Sequence, residues 1–147
     1  MLSHLRATVI VGLLLATSSA FAGWTLVTGT DDEQTLVSVD FSTVKRLPGN
    51  RVRAWVFWQY RHNVAKTGKP VLAIKNLSIV NCTDESIEDL ATLGYGTPEG
   101  DGPTVLTDKK VDAPSNFEYM APETMGLHVV KSLCARGGAA SAPTKKR

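Results

Sequence analysis

Arg51-Val52-Arg53-Ala54-Trp55-Val56-Phe57-Trp58-Gln59-Tyr60 (RVRAWVFWQY) is the stretch on which the fold turns. It alternates like a β-strand: Val52, Ala54, Val56, Trp58 and Tyr60 fall on one face, Arg51, Arg53, Trp55, Phe57 and Gln59 on the other. Both faces are apolar at the centre, which predicts a strand covered on both sides. Alternating aromatics in such a strand normally pack a core; only a bare face would make them a carbohydrate platform.

Outward from this strand, short polar turns separate further strands. Leu47-Pro48-Gly49-Asn50 is the turn before it. Trp24 to Thr28 (WTLVT) and Gln34 to Val39 (QTLVSV) read as two earlier strands, and Asp40 to Val44 as a local turn in which Asp40 caps backbone donors. After the polar loop from His62 to Lys69 comes a long strand, Val71 to Cys82. Past Thr83-Asp84-Glu85 the chain returns as Ser86 to Tyr95, with Ile87, Ala91, Leu93 and Tyr95 on one side. Gly96 to Gly102 is a glycine- and proline-rich loop leading to a short edge strand at Val105-Leu106. The period then changes. Pro122 to Ala135 repeats Leu127, Val130 and Cys134 at helical spacing, with Val129 and Leu133 beside them. Sequential strands without crossover helices, followed by one amphipathic helix, predict an α+β domain built on an antiparallel meander.

The N-terminus is an address. Met1 to Arg6 holds His4 and Arg6 and no acid, Ala7 to Ala16 is a continuous apolar run, and Ala20-Phe21-Ala22 is a small-x-small cleavage site. That order predicts a signal peptide over residues 1–22, cut between Ala22 and Gly23. The apolar run covers only about half of a ~30 Å hydrocarbon core, which argues against a membrane span. The domain is expected over residues 23–135, and residues 136–147, small and basic, as a flexible tail. With Arg6 removed, 15 basic residues face 14 acidic ones, a balance unsuited to nucleic acid. No cysteine near the cut offers a lipid-anchor site, so the expected location is periplasmic or secreted.

An exported chain whose two cysteines are Cys82 and Cys134 reads as one domain closed by one disulfide. The bond ties the end of a long strand to the end of the helix. The loop of about 53 residues that it closes is worth roughly 4 kcal/mol in the chain-entropy model. No Cys-x-x-Cys is present to suggest a redox or metal pair. His62 and His128 have no carboxylate or cysteine at a diagnostic offset and read as surface histidines. Asp84, Glu85, Glu88 and Asp89 lack the glycine and oxygen pattern of a calcium loop and read as a solvated turn. Gly94-Tyr95-Gly96 and Gly100-Asp101-Gly102 lack the lysine and helix of a phosphate loop, and there is no nucleophile-elbow serine. Asn76-Leu77-Ser78 and Asn81-Cys82-Thr83 match the glycosylation pattern but fall within a strand. The reading is a non-enzymatic protein with no cofactor and no metal.

In order, Trp24, Val39-Asp40, Ser42-Thr43-Val44, Arg51 through Tyr60, Lys75 through Asn81-Cys82, Gly94-Tyr95 and Pro122 to Cys134 resemble the surface-adhesin protein E family of bacterial exported proteins. The resemblance covers residues 24 to 134. Two features depart from it: Phe117 stands where a tryptophan is usual, and the lipid-anchor cysteine of surface-displayed members is absent. It implies a single antiparallel sheet of about six strands, the C-terminal helix held to it by the cysteine pair. It also implies binding to host extracellular-matrix and serum proteins.

The expected activity is therefore protein binding through loops and an exposed sheet edge, where a partner strand or a second copy in a homodimer can add. The candidate contact residues are Arg61, His62, Lys66 and Lys69 in one loop and Lys109 and Lys110 in another. The alternative is a periplasmic accessory or assembly factor that recognises another envelope protein.

Overall fold

In the computed structural model, which describes residues 23–66, 68–110 and 115–138, each long strand pairs antiparallel with the one before it. The strands are β1 (Trp24–Gly29), β2 (Thr35–Leu47), β3 (Arg51–Tyr60), β4 (Ala73–Asn81), β5 (Ser86–Tyr95) and β6 (Thr104–Lys109). A two-residue β7 (Glu118–Tyr119) pairs with the start of β5, and the helix α1 (Met125–Gly138) follows. The α+β architecture is the one expected. The expected signal peptide, residues 1–22, and residues 139–147 of the expected tail lie outside the described residues.

One face of the sheet lies under α1. Val129, Val130 and Leu133 of the helix, each at most 1 % exposed, press on Val37 and Val39 of β2, Val52, Ala54 and Val56 of β3 and Val80 of β4. Full burial of each of these valines and of Leu133 contributes about 1.5–3 kcal/mol. At the corner, Cys82, just past β4, is bonded to Cys134 of α1, with Cα atoms 5.7 Å apart.

The structure corrects four expectations. The segment Asp40 to Val44 is not a turn but a bulge inside β2: pairing with β3 runs to Asp40↔Trp55 and resumes at Lys45↔Arg53. Local hydrogen bonds replace the interrupted ladder. Asp40 Oδ1 accepts from the Ser42 amide at 3.0 Å and its hydroxyl at 2.6 Å. The Thr43 hydroxyl donates to the Asp40 carbonyl at 2.7 Å and accepts from the Trp55 amide at 3.0 Å. The capping role read for Asp40 is real, but it serves a bulge.

A second bulge at Leu90 shifts the β4–β5 register between Leu77↔Ala91 and Ser78↔Asp89. Because a one-residue slip reverses every side chain, Ile87 lies on the helix face while Ala91, Leu93 and Tyr95 lie on the other. The helix starts three residues later than Pro122: Glu123 takes a left-handed φ of 61°, and the Thr124 hydroxyl caps the Leu127 amide at 3.2 Å. It also runs on through Gly138, where Gly137 lies so close to Val52 that a Cβ would meet it at 2.6 Å. The fourth correction is that β3 is covered along its length on the helix face only: on the other face Phe57 is buried, whereas Trp55 is half-buried.

Candidate functional site

The face of the sheet away from α1 divides into a roofed half and a bare half. At the roofed end, the Trp24 and Phe57 rings lie 5.2 Å apart, and the loop after β5 folds back over them. The Gln59 side-chain amide holds that loop by donating to the Pro98 carbonyl at 2.9 Å. Gly100, at φ 65°, rests on Phe57 where a Cβ would stand 2.7 Å from the ring. Lys75 of β4 points into this cluster. Its Nζ donates to the Gly100 carbonyl at 2.7 Å and lies 4.8 Å from the Tyr95 ring centroid, 5.1 Å from Phe57 and 5.9 Å from Trp24. An ammonium held over three rings is stabilised by their quadrupoles, about 0.5–1 kcal/mol per contact.

The bare half is an apolar groove of about 410 Å³. Trp55, Leu77 and Leu93 form its floor, with Lys109 and Lys110 at its rim. Arg53 stands beside Trp55 on the same face, its Nε buried and without an acceptor among the described residues. Lys110 reaches the buried Glu88 carboxylate at 4.0 Å, and Glu88 also accepts from the Asn116 amide at 3.0 Å. Apolar area ringed by cations is suited to an amphipathic or acidic protein surface.

The sequence-predicted contact residues do not form one patch. Arg61, His62, Lys66 and Lys69 are exposed in the loop between β3 and β4, at the end of the sheet where β5 finishes. Arg61 pairs there with Glu33 at 3.2 Å. Lys109 sits against Ala91, midway along β5, on the bare half of the open face. His128 is exposed on α1.

The acidic run also separates. Asp84 and Glu85 are exposed in the β4–β5 turn, whereas Glu88 is buried on the open face and Asp89 lies on the helix face. It is therefore not one solvated turn. Among the described residues no group of three His, Cys, Asp or Glu could hold a metal ion. No described helix is long and apolar enough to cross a membrane.

Sequence reasoning missed Lys75, Trp24 and the groove around Trp55. Lys75 alternates in step with Leu77, a signal for an open-face cation. Among the described residues no second helix covers Trp55.

The family model described as surface-adhesin protein E matches residues 24–135. Among solved structures, crystal form II of Haemophilus influenzae protein E is similar at 14% identity and TM-score 0.57, over 80% of this chain and 91% of that one. The selenomethionine form of that protein gives 14% and 0.56, over 82% and 92%. Another structure of it gives 15% and 0.53, over 82% and 90%. At such identities the likeness is one of fold. No curated protein matches the chain.

Proposed function

Because this chain belongs to the surface-adhesin protein E family, we propose that it is an exported, non-enzymatic domain that binds protein ligands. Its contact surface is the open face of the sheet. The observation that carries this reading is the groove floored by Trp55, Leu77 and Leu93 and rimmed by Lys109 and Lys110. A partly exposed tryptophan beside cations has the composition of an interface centre. The outer edges of β1 and β6, with Leu26 and Leu106 exposed, supply unpaired backbone for a partner strand or a second copy.

The expected ligands are extracellular-matrix or serum proteins of a host. Purified protein passed over immobilised matrix proteins should be retained saturably, and less at high salt. Reversing both charges at Lys109 and Lys110 should weaken retention. Absence of retention at low salt removes the adhesin reading. Cell fractionation tests the export: an adhesin must reach the outer face. Recovery from the periplasm alone, crosslinked to an envelope protein, replaces adhesion with an accessory role in the envelope.

A further inference from the structure

On the helix side, where the chain from β7 into α1 passes β5, the sheet leaves a cleft of about 350 Å³. Trp58 of β3 and Ile87 and Asp89 of β5 line one side; Glu118, Tyr119 and Met120 line the other. The bulge at Leu90 is what brings Asp89 to this face. Its carboxylate accepts from the Ser78 hydroxyl at 2.5 Å and the Asn76 side-chain amide at 2.6 Å. The Oδ1 of the same Asn76 is buried and meets no donor among the described residues. Tyr119, 72 % exposed, has no apolar cover at the mouth.

The balance of charge is one-sided. Among the described residues no lysine or arginine lines the cleft, and Glu118 and Glu88 both act on Asp89 with like charge. Burial, only partly offset by the Ser78 hydrogen bond and by Lys110, holds the Asp89 carboxyl above its ordinary range. Burial and the Asp89 charge likewise raise the Tyr60 phenol. Among the described residues the lining offers two carboxylates and two aromatic faces and no cation to meet them.

We propose that this cleft is a binding pocket for a cationic side chain, lysine or arginine, carried by a partner protein. Asp89 and Glu118 are its counter-charges and Trp58 and Tyr119 its aromatic walls. A desolvated carboxylate binds an ammonium or guanidinium more strongly than an exposed one does. The ring faces attract the same cation, and Ile87 and Met120 suit its aliphatic stem. The proposal rests on the binding-protein reading only in that the cation arrives on a protein.

Small amides test the pocket without any matrix protein. In an NMR titration of the disulfide-bonded protein, N-acetyl-arginine amide or N-acetyl-lysine amide should saturably shift the Trp58 indole and the Gly126 amide. N-acetyl-norleucine amide, which keeps the four-carbon stem of lysine without the ammonium, should not. Asp89→Asn should weaken cation binding about tenfold or more, and Glu118→Gln, at an exposed position, severalfold. Equal response to the norleucine amide, no shift with either cation, or unchanged binding in Glu118→Gln and in folded Asp89→Asn overturns the proposal. Matrix capture unaccompanied by amide binding removes the pocket alone. Amide binding without matrix capture leaves the pocket and removes adhesion.

Discussion

The two faces of one sheet are built from different chemistry. Under α1 lie small aliphatic side chains, Val37, Val39, Val52, Ala54, Val56 and Val80, with a disulfide at the corner. On the far side lie Trp24, Phe57 and Tyr95 around Lys75 under a loop, and Trp55 in the bare groove beside them. β-Branched residues suit a layer close beneath a helix because they fill space with few rotamers to lose. Large amphipathic rings suit a face that must remain stable while offering itself to a partner. Away from the cleft at Asp89, the contrast separates stability from recognition, and substitutions of the aliphatic layer and of the open face should separate the same way.

The largest effects should come from the corner and from the core beside it. Replacing both Cys82 and Cys134 with serine should lower the unfolding free energy by up to about 4 kcal/mol. Denaturant melts of oxidised and reduced protein measure it; a difference below about 1 kcal/mol would mean that packing alone secures the helix. Next is Leu133→Ala, which empties a fully buried site and should cost about 2–5 kcal/mol in the same melts. Any matrix binding of the residual folded protein should be unchanged.

Gly100→Ala attacks the roof on the open side. A methyl at a left-handed φ, 2.7 Å from the Phe57 ring, should cost about 1–3 kcal/mol. It should also expose Lys75 to amine-reactive labelling, read by mass spectrometry. Lys109→Glu should leave stability within about 0.5 kcal/mol and yet reduce capture by matrix proteins. A loss of stability matching the loss of capture would erase the distinction between faces.

The smallest effect is a slope. Asp89 binds its proton more tightly in the folded protein than in the unfolded chain, because burial outweighs the Ser78 hydrogen bond and Lys110, with Glu118 and Glu88 adding. Its contribution is therefore most favourable below the unfolded value of 3.8 and is lost as pH rises through the raised folded value. Asp89→Asn should flatten that decline in stability, measured as melting temperature against pH.

Much of this was legible in the chain. The alternation in Arg51 to Tyr60, the turn at Leu47 to Asn50 and the helical spacing of Leu127, Val130 and Cys134 all correspond to observed elements. Bulges were not legible, because an extra backbone residue leaves no mark on composition. Asp40 carried the right chemistry for a turn and used it inside a strand. Leu90 looked like one more apolar residue, yet it decides which face receives Ile87 and Asp89. The helix start was misplaced because Pro122 gives the stronger local signal, while Thr124 makes the hydrogen bond.

The nearest-neighbour strand order has a consequence for assembly. A polypeptide delivered amino end first can zip each hairpin onto the last as it emerges, with little loop-closure entropy at any step. Among the described residues the long-range journeys are those of β7, which returns to the start of β5, and of α1, which must fold back across β1, β2 and β3. Cys134 follows Cys82 by 52 positions, so oxidation can only seal a sheet whose first four ribbons are already out.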